Sequence, residues 1–220
     1  MLTIVFDLDG TLIDTAPDLI STLNIILGRE GLPPVEYDSA RRMIGGGAKA
    51  MIERALAAEG RASSKAELDR LFAAFIDHYA AHIADHSRPF PELGATLEHL
   101  AGEGHRLAVC TNKPEPLARL LLERLGEARQ FSAICGRETF TMSKPDGRAL
   151  RSTIALAKGD PNRALMVGDS KTDIDTARNA GAPIVAVDFG YSDPPIARLS
   201  PDRVISHFDE LWDAAGALLG

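Results

Sequence analysis

Apolar residues follow two rhythms along the chain. Short unbroken runs open it at residues 1–6 and recur after residue 90, at 106–110, 132–135, 164–167, 184–187 and 203–205. Runs this short, apolar on both faces, are strands of a parallel sheet covered by helices. Helix-like segments separate the later runs, and that alternation predicts an α/β fold with a doubly wound, Rossmann-like parallel sheet. The rhythm fails once. About a hundred residues lie between the first run and the one at 106, whereas a parallel crossover needs only about a dozen, so an insert is expected there.

The insert has a helical period. Leu68, Leu71, Phe72, Phe75, Ile76, Tyr79 and Ile83 recur at spacings of three and four, with no Gly or Pro over residues 61–87, which predicts one long amphipathic helix. Leu19, Ile20, Leu23, Ile26 and Leu27 mark another, ended by Gly28 or Gly31 and then Pro33-Pro34. A third covers residues 48–58 after Gly45-Gly46-Gly47. The expected organisation is an α/β core from residues 1–14 and 87–220 and a helical cap over 15–86. Both connections of the cap flank the turn after the first strand, so the cap is expected to act there as a lid.

The bulk numbers narrow the class. A chain of 220 residues, 45% hydrophobic and 25% charged, is an ordinary globular protein with room for one core and a smaller module. No apolar run approaches a membrane span. A first strand at the very start leaves no space for a signal segment, so a cytoplasmic location is expected. The net charge of −7 argues against nucleic acid and anionic membranes as partners. Cys110 and Cys135 each end an apolar run and read as reduced core thiols.

Chemistry gathers where the strands end. The stretch VFDLDGTLID, residues 5–14, runs from an apolar strand straight into acids. Side chains alternate along extended chain, so Asp7 and Asp9 point to one side. TNK at residues 111–113, SKPDG at 143–147 and VGDSKTD at 167–173 follow later strands, and FGYSDPP at 189–195 is a less telling fourth. In open α/β sheets ligands bind beyond the carboxyl ends of the strands, where these groups would converge. Asp7, Asp9, Asp169 and Asp173 brought together would repel one another unless a cation lay among them. An all-oxygen set without Cys or His suits a hard ion, and Mg²⁺ is the expected cofactor. A carboxylate beside it can attack a phosphoryl group, which makes Asp7 the nucleophile, while Asp9 protonates the leaving oxygen and then activates water. The Thr111 hydroxyl, the Asn112 backbone N–H and the Lys144 ammonium are the expected donors to the phosphoryl oxygens.

Other polar residues have plainer readings. Asp14 reads as a capping acid, Ser170 and Thr172 as caps of the helix beginning near Thr172, and Gly10 and Gly168 as turn glycines. His78 and His82, four apart, and the Arg41-Arg42 pair read as solvated.

DLDGT, TN, KP and GDSKTD in this order, with a helical insert after the first strand, resemble the haloacid dehalogenase superfamily of phosphatases over essentially the whole chain. The resemblance implies that Asp7 is the nucleophile and Asp9 the acid/base, whose main-chain oxygen also meets the metal. Thr111 and Lys144 would bind phosphate, Asp169 would be the acidic metal ligand, and Asp173 a second acid behind the metal or beside the lysine. The lysine loop reads KPDG where many relatives have KPxP. TLIDTAPDL, IGGGAKAMIERAL and GYSDPPIARLSPDRVI are further similar to the phosphoglycolate phosphatase branch, which implies a small phosphate ester, 2-phosphoglycolate, as substrate. Specificity is then expected in residues 43–49 of the cap, where glycines including Gly46 let backbone N–H groups face an anion and where Lys49 or Arg41 pairs with the substrate carboxylate. Two alternatives remain at this point: a phosphomutase that returns the phosphoryl group to a sugar, and a receiver-type domain that stores it.

Overall fold

The computed structural model describes residues 1–44 and 46–219 and divides into two compact units, Met1–Asp14 together with the chain from Arg88 on, and Thr15–Ser87. Gly45, one of the three glycines of the expected substrate loop, lies outside the described residues.

The Thr15–Ser87 unit is helical: α1 (Ala16–Arg29), α2 (Tyr37–Arg41), α3 (Ala48–Ala58) and α4 (Lys65–Ala81). Pro17 in the first turn of α1 sits where a missing N–H costs no helical bond. Ser64 starts α4 by accepting the Glu67 N–H at 3.2 Å. The apolar stripe of α4 splits in two, because α4 packs on α1 and α3 along one side only. Leu71, Phe75 and Tyr79 are buried there, followed by Ile83 just past the helix, while Leu68, Phe72 and Ile76 stay half-buried. The short α2 has too few residues to show a period. An unexpected device closes the unit on itself. Asp18 of α1 is 2% exposed, and its carboxylate accepts the Ser87 N–H at 2.8 Å, the Ser87 hydroxyl at 2.7 Å and the His86 N–H at 3.0 Å. The first turn of the unit is thereby tied to its last residues by charge-assisted bonds.

The other unit is built on a six-stranded parallel sheet, β1 (Thr3–Phe6), β4 (Arg106–Cys110), β5 (Ala133–Cys135), β6 (Ala164–Gly168), β7 (Ile184–Val187) and β8 (Arg203–Ile205), in the order β5-β4-β1-β6-β7-β8. A separate antiparallel pair, β2 (Ile13–Asp14) with β3 (Arg88–Pro89), marks the two places where the chain leaves and re-enters this unit. Helices α5 (Leu93–Gly102), α6 (Glu115–Arg124), α7 (Gly147–Leu156), α8 (Lys171–Ala180) and α9 (Leu211–Leu219) complete it. Strand β1 is buried at every position because it lies between two strands inside a helix-covered sheet.

The order of the strands decides where chemistry can happen. From β1 the chain builds outward through β4 and β5, then crosses back to build β6, β7 and β8 on the other side. The loops after β4 and β6 therefore diverge and leave a crevice beyond the end of β1, the place where ligands bind in such sheets. Register makes the three strands end level: Phe6 is opposite both Val109 and Val167. The next residues are Asp7, then Cys110-Thr111, then Gly168-Asp169. The Asp7 N–H still donates to the Val167 carbonyl at 2.9 Å, which carries the ladder one residue into the site.

Cys110 and Cys135 are free, buried and opposite one another in β4 and β5. Burial pushes the Cys110 thiol up to about 11, so it is an inert packing group at neutral pH. Among the described residues no helix is long and apolar enough to cross a membrane.

The fully buried Phe75 stacks on Tyr79 with ring centroids 5.9 Å apart. Phe75→Ala is expected to cost about 3–5 kcal/mol in urea unfolding; a loss under about 1 kcal/mol would contradict its place in the core of the helical unit.

Candidate active site

The chain turns sharply as it leaves β1. The Leu8 carbonyl accepts the N–H groups of Leu12 at 3.0 Å and Ile13 at 3.1 Å, and the Gly10 N–H donates to the Ile13 carbonyl at 2.9 Å. Gly10 has φ +80, and a Cβ there would lie 2.5 Å from Asp169 Oδ2 and 2.8 Å from the Tyr191 ring. A side chain is excluded on both counts. The turn can therefore press against Asp169, whose Oδ1 accepts the Thr11 hydroxyl at 3.1 Å and whose Oδ2 accepts the Tyr191 N–H at 2.7 Å.

Asp7, Asp169 and Asp173 are all buried, and each offers an oxygen within 4.8 Å of the others. Lys144, with its side chain 2% exposed, stands between two of them, 2.8 Å from Asp7 Oδ1 as an ion pair and 2.6 Å from Asp173 Oδ1. Asp173 is spoken for on its other side as well. It forms a capping box with Ser170 at the start of α8, accepting the Ser170 N–H at 3.0 Å and hydroxyl at 2.6 Å through Oδ2. Within the cluster its Oδ1 pairs with the lysine.

The electrostatics follow from burial. Loss of water raises the Asp7 carboxyl, partly offset by Lys144 and reinforced by Asp173. Asp169 is pushed up by burial and then by the charges of Asp173 and Asp7, against the pull of the Tyr191 N–H and Thr11 hydroxyl. Burial works against the Lys144 ammonium, yet the charges of Asp173 and Asp7 hold it well above the ordinary lysine range. Among the described residues, four acids, Asp7, Asp9, Asp169 and Asp173, face the ammonium groups of Lys113 and Lys144. Two negative charges are left over. Buried carboxylates in such surplus either take up protons or hold a cation, and the oxygen set of Asp7 and Asp169 suits a divalent metal.

The remaining expected residues border this cluster. Thr111 is buried, with its Oγ1 accepting the Lys113 N–H at 3.1 Å, which leaves the hydroxyl proton free to donate. The Asn112 side chain donates to the Lys144 carbonyl at 3.1 Å and so ties the loop after β4 to the lysine loop. The KPDG departure has a local reason: Asp146 caps α7 by accepting the Arg148 N–H at 2.9 Å, and a Cβ on Gly147 would come within 2.3 Å of the Asn179 backbone in α8. Asp146 thus starts α7, and Gly147 permits the close approach of α7 to α8. Asp7, Asp9, Thr111, Asn112, Lys144, Asp169 and Asp173 thus converge in one unit. Gly46 and Lys49 belong to the other, where Gly46 is exposed and the Lys49 ammonium pairs with Asp69 of α4.

Three features were not foreseen. Asp14 Oδ1 accepts the Tyr191 hydroxyl at 2.6 Å, and the N-cap residue of α1 is Thr15. Tyr191 belongs to the loop that looked least telling, yet it contacts Asp169 through its backbone and Asp14 through its ring hydroxyl. Its signal was its place after β7, the strand next to β6. Lys113 lies 2.9 Å from Asp9 Oδ1 with a side chain only 4% exposed; a lysine directly behind the TN pair, at the end of an apolar strand, was the clue to it.

The sequence model of the haloacid dehalogenase-like hydrolases matches residues 4–187. A phosphoglycolate phosphatase of Mesorhizobium japonicum is 53% identical over 208 residues, 94% of this chain and 92% of the relative. One of Agrobacterium fabrum is 49% identical, covering 96% and 90%. The crystal structure of a predicted phosphoglycolate phosphatase from Haemophilus somnus 129PT superposes with a TM-score of 0.90 at 30% identity, covering 97% of each chain. By the family match over residues 4–187 and relatives this similar over nearly the whole chain, the chain belongs to the haloacid dehalogenase-like hydrolases.

Proposed function

We propose that this protein is a phosphoric monoester hydrolase that uses Mg²⁺ and converts 2-phosphoglycolate to glycolate and phosphate. The observation that carries the chemistry is the pairing of Asp7 with Lys144 at the end of β1, beside Asp169 and with Asp9 two residues on. The substrate is supported by the names of relatives similar over nearly the whole chain, phosphoglycolate phosphatases in three bacteria at 46–53% identity.

In the first step an Asp7 carboxylate oxygen attacks phosphorus, the bond to the ester oxygen breaks, and Asp9 gives that oxygen a proton as glycolate leaves. In the second, Asp9 takes a proton from water as the water oxygen attacks phosphorus, and the bond to Asp7 breaks. The Thr111 hydroxyl, Asn112 backbone N–H and Lys144 ammonium hold the phosphoryl oxygens through both transfers. Asp7, Asp169 and the Asp9 main-chain oxygen are the groups that would hold Mg²⁺, which when bound neutralises charge on the carboxylates and on the phosphoryl oxygens. Asp173 touches none of the reacting atoms and keeps Lys144 in place. In the helical unit, Gly46 and Lys49 contribute to recognition of the substrate's organic part, Lys49 by exchanging Asp69 for the substrate carboxylate.

Asp7→Asn is expected to lower kcat at least about a thousandfold with the melting temperature nearly unchanged; substantial turnover by this variant would remove Asp7 as the nucleophile. Dialysis against a chelator should abolish turnover and added Mg²⁺ should restore it, whereas full activity without metal would refute the cofactor. In a panel of phosphate monoesters, kcat/KM should be highest for 2-phosphoglycolate, and a sugar phosphate in first place would overturn the substrate. Lys49→Ala should raise KM for 2-phosphoglycolate about tenfold, the scale of one charge-assisted contact, and leave KM for ethyl phosphate unchanged; equal effects on both would sink the role of Lys49.

A further inference from the structure

Lys113 is the buried charge of the site that the two transfers above do not use. It is held at both ends: its N–H donates to Thr111 Oγ1 at 3.1 Å, and its ammonium reaches Asp9 Oδ1 at 2.9 Å. Burying an ammonium, here on a side chain 4% exposed, costs hydration that a carboxylate partner offsets. One partner here is the acid/base, whose own side chain is 20% exposed. An ammonium is donor-only. Oδ1 of Asp9 is therefore committed as an acceptor, and a proton carried by Asp9 must sit on Oδ2.

We propose that Lys113 is a positioning residue that grips Oδ1 of Asp9 and thereby aims Oδ2 at the oxygen leaving phosphorus and then at the attacking water. In the first transfer the Asp7–phosphorus bond forms, the ester bond breaks with its electron pair going to the ester oxygen, and the Oδ2 proton follows. In the second, water loses a proton to Oδ2 while its oxygen bonds to phosphorus and Asp7 is released. Lys113 exchanges no proton in either step. The inference rests on the roles given above to Asp7 and Asp9. A position set wrongly by a fraction of an ångström is costly for proton transfer, because the transfer needs hydrogen-bond reach at the moment the bond breaks.

The readout is leaving-group dependence of kcat/KM, which reports steps only as far as release of the first product. An alkyl oxygen needs a proton to leave, whereas p-nitrophenolate does not. Lys113→Met is expected to lower kcat/KM about a hundredfold for 2-phosphoglycolate and for ethyl phosphate, the lower range of general acid catalysis, and by less than about fivefold for p-nitrophenyl phosphate. Lys113→Arg, which keeps a donor-only cation, should recover a large part of the alkyl ester rate. In an Asp9→Asn background, Lys113→Met should add no further contrast between the two leaving groups. Equal losses on ethyl phosphate and p-nitrophenyl phosphate would overturn the proposal in favour of a phosphate contact. A loss confined to 2-phosphoglycolate would overturn it in favour of a carboxylate contact. Should the Met variant lose its cooperative melt, the same ratio is read from Lys113→Gln with the same criteria. If Asp9→Asn itself shows no leaving-group contrast, the reading of Asp9 has failed, an outcome distinct from failure at Lys113.

Discussion

The structure turns on a group of acids that outnumbers the ammonium groups paired with it among the described residues. Asp7, Asp9, Asp169 and Asp173 meet where β1 and β6 end, and Lys113 and Lys144 offset only half of them. Buried like charges at such range are unfavourable, and the upward displacement of the Asp7 and Asp169 carboxyls expresses that cost. A cluster arranged in this way fits positive charge from outside. A divalent cation and the electrophilic phosphorus of a phosphate ester are both attracted to such an arrangement, and the same carboxylate that helps to hold the first can attack the second.

The fold supplies the positions that make the surplus tolerable. Level ends of β1, β4 and β6 bring residues far apart in sequence to one crevice, and the reversal of strand order at β1 keeps the flanking loops apart. Each acid then has its own restraint. Asp173 is fixed by the helix cap with Ser170, Asp169 by Thr11 and the Tyr191 backbone, Asp9 by Lys113, and Asp7 by the strand itself and Lys144. Preorganised charges of this kind need no rearrangement at the moment of reaction, the condition under which electrostatic stabilisation is largest.

Much of this was legible in the sequence, for identifiable physical reasons. Strands buried on both faces are continuous apolar runs, so β4 and β7 fall where the runs do; β8, an edge strand with only Ile205 buried, also falls at its run, and the Gly-rich segment sets the start of α3. The acids of DLDGT and GDSKTD stood out because charge directly after an apolar strand requires a cause. What stayed hidden depends on partners that no local pattern reveals. Lys113 meets Asp9 across 104 positions, and the Tyr191 hydroxyl meets Asp14 across 177. An acid before a helix reads as a cap, and nothing local shows that Asp14 also accepts the hydroxyl of a distant tyrosine. Asp18 likewise resembles an ordinary first-turn acid until the far end of its unit folds back onto it.

The claim on which the account turns is that the surplus charge holds one divalent ion between Asp7 and Asp169. Calorimetric titration of the metal-free protein with Mg²⁺ tests this most directly. The account predicts one ion per chain and at least about tenfold weaker binding in Asp169→Asn, a variant that removes a ligand and a charge together. Absence of binding to the wild-type chain, or equal affinity in the variant, would contradict it.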